Sequence, residues 1–192
     1  MSIVKKWAGC VMSFIAGVLG LALSSCSGMK VVVKTPVGSE TTVTKAFKVI
    51  TDSDLLDQAK AAGLKSEFVM MKVFAIITLI VSVLLIVYSV VALLQNLNVI
   101  KSSHIAFDIA GWVLVGLFLV AIIGLVISSN DYGSEIASVT EKGLEATYAA
   151  MGQPINITVN AKLGAYQITM LVVSIVTAIV TGVFAFLKRK SA

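Results

Sequence analysis

Few side chains in this sequence have the type and spacing to do chemistry, so each can be weighed singly. Asp108 is the one ionisable residue well inside a long apolar run, Ile105 to Ile127. An acid in such a place is a functional candidate, because its charge is costly in hydrocarbon. It falls about one turn from the start of the run, where a helix dipole favours a carboxylate and Lys101 is within reach. A structural role is expected, since an ion path would want further acids at mid-membrane depth and the other apolar runs hold none. His104 is the only histidine. With no second histidine, cysteine cluster or paired acids at ligand or triad spacing, it reads as an interfacial cap after Ser102 and Ser103. No phosphate-loop or dinucleotide motif occurs. The expectation is a protein without enzyme activity, cofactor, metal or nucleic-acid partner.

The two cysteines carry the remaining chemistry. Cys10 and Cys26 are separated by about 24 Å if the chain between them is helical, which is too far for a disulfide. Cys26 is therefore lipidated, paired with another chain, or free. Lys5 and Lys6, the apolar run Trp7 to Leu23, and then Leu23-Ser24-Ser25-Cys26 resemble a bacterial lipoprotein signal. That resemblance covers residues 1–26 and implies loss of residues 1–25 with acylation of Cys26. The same run also reads as an uncleaved helix. Gly9, Ser13 and Gly17 recur every fourth residue with Ala16 and Gly20 alongside, a small-residue stripe on which another helix can pack. Both readings stand at this point.

The elements that would position these residues follow from composition. The 192 residues are 58% hydrophobic and 13% charged, with a mean hydropathy of +0.99. Too few polar groups exist to cover so much apolar surface, so lipid is the expected solvent and the bilayer the first partner. Spans are expected at 7–23, 73–94, 105–127 and 165–187, against a requirement of roughly 20 residues. Segments 1–6, 95–104 and 188–192 carry Lys5, Lys6, Lys101, Lys188, Arg189 and Lys190 with no acid. The positive-inside rule then puts both termini in the cytoplasm, and residues 24–72 and 129–164 outside.

The outer segments have patterns of their own. Val31-Val32-Val33, a turn at Thr35 to Ser39, and Thr41 to Ile50 with Val43, Phe47 and Val49 on one side predict a β-hairpin. A short helix follows from about Asp54 to Ala62, capped by the Thr51 to Asp54 segment and ended at Gly63. In the second segment Ile136, Val139, Leu144, Tyr148 and Met151 recur at helical spacing over Ser134 to Met151, stopped by Gly152 and Pro154. Residues 155–160 alternate as a strand. A lone strand is unstable, so it is expected to pair with the first hairpin in a three-stranded sheet packed on a helix. Within the spans, Ala75, Ser82 and Ser89, and again Ser174, Ala178 and Gly182, read as packing seams. Trp7, Tyr132 and Tyr166 read as interfacial anchors. The expected class is mainly α: a four-helix transmembrane bundle, of three spans if the first is cleaved, with a small extracytoplasmic β-sheet plus helices.

Four spans, a strand-bearing first outer loop, a minimal inner connection from Gln95 to His104, and a second loop giving one strand resemble the claudin group of tetraspan proteins in topology. The resemblance implies a non-enzymatic cell-surface protein that contacts a partner or itself through its outer loops. Residues 27–66 hold no tryptophan or cysteine, unlike the claudin first loop, and the tail Lys188 to Ala192 has no docking motif. No functional residue carries over. Two other expectations remain: a membrane lipoprotein acylated at Cys26, and a small transporter or channel subunit with Asp108 in its path.

Overall fold

The computed structural model describes residues 3–36, 38–97, 99–100, 104–153 and 155–190. Val37, Lys101, Ser102, Ser103 and Pro154 lie outside them, as do the side chains of Lys5, Lys6, Leu23, His104 and residues 184–190. The elements in order are α1 (Ile3–Ala22), β1 (Ser27–Thr35), β2 (Gly38–Lys45), α2 (Ala46–Thr51), α3 (Ser53–Ala61), α4 (Lys65–Asn96), α5 (His104–Ala150), β3 (Thr158–Leu163) and α6 (Ala165–Lys190). The chain is mostly helical, and three segments are long and apolar enough to cross a membrane: Lys65–Asn96, Asp108–Ala150 and Ala165–Val183. The apolar part of α1, Trp7–Ala22, is shorter.

Contacts divide the chain into two compact units. One comprises Met1–Leu23, Ile76–Ile123 and Thr169–Ala192; the other comprises Ser24–Ala75 and Gly124–Ile168. In the first, Ser13, Thr78, Ser82, Ser89, Ser174 and Thr177 are buried among Ala16, Leu85, Phe118 and Ile122. Buried hydroxyls need partners in so apolar a setting, and for Ser82, Ser89, Ser174 and Thr177 their own helices supply them. Ser82 Oγ donates to the Thr78 carbonyl at 2.7 Å and Ser89 Oγ to that of Leu85 at 2.6 Å. Thr177 Oγ1 donates to the Val173 carbonyl at 2.8 Å.

The second unit is built on a sheet of order β2-β1-β3, antiparallel throughout. β1 is central, pairing Val32 with Thr41 on one side and with Asn160 on the other. Strand side chains alternate, so one sheet face turns Val31, Val33, Val159 and Ala161 inward. There they pack with Ala137, Leu144 and Tyr148 of α5 and with Ile155 and Ile157 just before β3. The expected sheet shared between the segments 24–72 and 129–164 is thus present, with its apolar face on a helix.

Three boundaries differ from the sequence reading. The expected long second strand stops at Lys45, and Ala46–Thr51 is helical. Helical spacing buries Ala46 and Val49 and leaves Phe47 48% exposed, an arrangement that alternation cannot distinguish over so few residues. β3 lies at Thr158–Leu163, not 155–160, because the inward series continues through the small Ala161 while Ile155 and Ile157 join the core before the strand starts. The third difference is the largest. α5 is one helix of 47 residues, about 70 Å long, which passes through the polar stretch Ser128 to Gly133 without a break. No proline interrupts it: serine, asparagine and aspartate each cost only tenths of a kcal/mol in a helix, and Gly133 about 1 kcal/mol. Ser128 Oγ donates to the Gly124 carbonyl at 2.8 Å and Ser134 Oγ to that of Asp131 at 2.9 Å, so the hydroxyls fold back on the helix. The hydrocarbon core is about 30 Å thick, so more than half of α5 lies beyond the reach of any span.

The short helix is where expected. Asp52 Oδ1 accepts the Asp54 N–H at 3.0 Å as the N-cap of α3, and Gly63 adopts φ +76° just past its end.

Val159 is 6% exposed, and Val159→Ala removes two methyls from the sheet–helix core. The expected loss is roughly 2 kcal/mol of stability. Amide exchange should quicken in β1 and β3 together; a change confined to β3 would show that β1 stands without its distant partner.

Candidate functional site

The residues with chemical potential are scattered. Cys10 and Cys26 are both free thiols, each half-buried. Cys10 Sγ donates to the Ser89 carbonyl at 2.9 Å. Cys26 follows a short turn of 3-10 helix, Leu23–Ser25, and its carbonyl accepts the Ala46 N–H at 3.0 Å. Asp108 is exposed near the start of α5. Among the described residues no three of His, Cys, Asp and Glu come together in a way that could hold a metal ion.

The small-residue positions fall in the first unit and divide sharply. Gly9 has nothing within 4 Å of where a Cβ would sit. Ser13 and Ala16 are fully buried, and a Cβ on Gly17 would lie 2.7 Å from the Ser82 carbonyl oxygen and from Ile86 Cγ1. Gly20 is pressed in the same way against the Ser82 side chain. α1 therefore touches α4 through its second half, at a distance that only glycine allows. On α6 the buried face is Met170, Ser174 and Thr177, whereas Ala178 and Gly182 are half-exposed. A Cβ on Gly182 would stand 3.4 Å from the Trp112 ring. The every-fourth-residue reading of α6 missed Thr177, which shares the face at i+3.

The second unit contains features that the sequence did not announce. Tyr132 and Tyr166, expected at a lipid interface, are buried, and Tyr132 meets Phe68 edge-on with ring centroids 5.4 Å apart. Gln167, 3% exposed, accepts the Gly164 N–H at 3.1 Å through Oε1 and donates to Ser129 Oγ at 3.3 Å through Nε2. It thereby caps α6 and ties it to α5, using both ends of one amide. Glu141 Oε2 accepts the Val159 N–H at 3.0 Å, fixing β3 to α5 by a contact 18 residues apart in sequence. A cavity of about 310 Å³ lies between α4 and α5, lined by Glu67, Met70 and Phe74 on one side and Gly124, Ile127, Ser128 and Asp131 on the other.

The outer face of the sheet is the most distinctive surface. It carries Lys30, Val32 and Lys34 from β1, with Ser39, Thr41 and Val43 on β2 and Thr158, Asn160 and Lys162 on β3. All but the half-buried Val32 are exposed, and Glu40, the one acid in these strands, points to the opposite face. Beyond β1, the strand β2 forms a sheet edge exposed along nearly all its length.

No protein-family pattern matches this sequence, and no characterised protein aligns with it significantly.

Close approach at Gly17 can be tested against open space at Gly9. Gly17→Leu should cost roughly 1–3 kcal/mol of stability through overpacking. Gly9→Leu should leave the melting temperature in detergent unchanged. Equal melting of the two variants would show that α1 does not pack on α4 through Gly17.

Proposed function

We propose that this chain is a non-enzymatic integral membrane protein with four spans and both termini in the cytoplasm. Its segments 24–72 and 129–164 are extracytoplasmic and contact another protein or a second copy of the chain. The observation that carries this reading is the open edge of β2. A strand at a sheet edge presents unpaired N–H and C=O groups to any chain that can lie beside it. β2 also exposes Val43 there, 48% accessible, among hydroxyl side chains. Soluble edge strands are usually shortened, bulged away or filled with charge; this one runs for eight residues with Glu40 and Lys45 as its charged positions.

The close seat of Gly17 and Gly20 on α4 supports retention of α1 as the fourth span. The other reading, a lipoprotein acylated at Cys26 and held by three spans, is supported by the free Cys26 thiol immediately after the apolar run. Intact mass separates them: retained residues 1–25 reject acylation, and their loss with added lipid mass rejects the fourth span.

The contact is tested by placing Val43→Cys in a chain whose Cys10 and Cys26 are serine, and treating intact cells with a short bis-maleimide. A crosslinked dimer or a discrete heavier adduct is expected. A chain that takes up mono-maleimide at position 43 yet stays wholly monomeric with the crosslinker would remove the β2 edge as a contact surface.

A further inference from the structure

The outer face of the sheet joins two lysines that are remote in sequence. Lys30 on β1 lies directly opposite Lys162 on β3. Their Cβ atoms are therefore about 5 Å apart on one face, an arrangement in which like charges destabilise the pairing. Nothing within the sheet offsets the repulsion. Among the described residues the one ion pair is Lys60 with Asp57, on α3, and Glu40 is on the other face of the sheet. Protection of an edge could account for Lys162 on the edge strand β3, but not for Lys30 directly opposite it or for Lys34, which are on the central strand, where no edge needs guarding.

Chain length limits where this pair can be. Lys162 is three residues before Ala165, the first residue of a helix long and apolar enough to cross a membrane. Three residues reach at most about 10 Å, so the two ammonium groups are held within the depth of a lipid headgroup layer from the start of that helix. Asn160, two residues from Lys162 on the same face and exposed, adds an amide N–H donor beside them. Lys34 is paired with Thr158, a further four residues along each strand and about 13 Å away.

We infer that Lys30 and Lys162, with Asn160 beside them, bind the phosphate of an anionic phospholipid headgroup in the bilayer that α6 enters. The bound phosphate turns a cross-strand repulsion into a bridged pair, and it couples the β1–β3 seam to the membrane surface. This rests on the membrane reading above.

The full chain, reconstituted in nanodiscs of phosphatidylcholine alone or with phosphatidylglycerol, tests both ideas separately. An impermeant amine-reactive ester is applied, and lysine modification is read peptide by peptide. With phosphatidylglycerol, modification of Lys30 and Lys162 should slow several-fold, Lys34 less, and Lys60 not at all. Salt at about 0.5 M should erase the difference, because the screening length then falls to a few ångströms. In the Lys162→Gln variant, protection of Lys30 should be largely lost. Three results overturn the inference: equal modification of Lys30 and Lys162 in both lipids, protection of Lys30 retained in Lys162→Gln, and protection of Lys60 matching that of Lys30. Protein that fails to co-elute with either nanodisc overturns the membrane reading instead.

Discussion

The architecture of the second unit depends on the antiparallel pairing of Met29–Lys34 with Thr158–Leu163. Those segments are separated by well over half the chain, and closing so long a loop carries an entropic cost that grows only slowly with length. The ladder of backbone hydrogen bonds, the burial of Val33 against Val159, and the Glu141 contact to the Val159 N–H repay it at one place. Without that pairing β1 and β2 would be an isolated hairpin, which is marginal in water. With it, the sheet gains a third strand and a helix for its apolar face, and Gly164, hydrogen-bonded at 3.0 Å to the Gly28 carbonyl, fixes where α6 begins.

Helix α5 shows what supports this arrangement. Its length comes from the absence of proline between Ser128 and Gly133, but its place comes from contacts on successive turns. Tyr132 meets Phe68, Ser129 meets Gln167, Ala137 and Leu144 meet the sheet. A polar stretch within a helix would be a weak point if its groups were unsatisfied. Here Ser128 and Ser134 bond back to the helix and Ser129 bonds across to Gln167. The stretch that looked like a loop in the sequence is continuous helix.

Much of the fold could be read from the sequence because it rests on periodicity and length. The apolar helices, the hairpin around Thr35 and Gly38, the capped α3, and the partnership of the last strand with the first hairpin all follow from patterns within about ten residues, or from the instability of lone strands. Three kinds of feature could not be read. Phe47 and Val49 satisfy strand and helix patterns equally, and only the burial of Ala46 beside Gly28 decides between them. Polar runs such as Ser128 to Asp131 carry too little propensity either way to mark a break. Juxtapositions set by register, such as Lys30 with Lys162 or Val159 with Glu141, depend on a pairing offset that no local pattern encodes. A one-residue slip in that offset would move every such partner to the other face.

The division of polar groups between the two units shows where specificity resides. In the first unit the buried hydroxyls of Ser82, Ser89 and Thr177 bond to carbonyls of their own helices, so they contribute little directional preference between helices. What orients α1 on α4 there is chiefly shape, the missing side chains at Gly17 and Gly20, with one directional contact from Cys10 Sγ to the Ser89 carbonyl. In the second unit the polar contacts run between elements that are distant in sequence. Examples are Gln167 to Ser129, Glu141 to Val159, and the Ala165 N–H to Ser27 Oγ at 3.1 Å. Directional bonds between distant segments define one arrangement and penalise neighbours of similar compactness, whereas apolar shape matching tolerates repacking. The exposed sheet face with Lys30, Lys34 and Lys162 is therefore carried by the unit whose internal geometry is held by hydrogen bonds between distant segments.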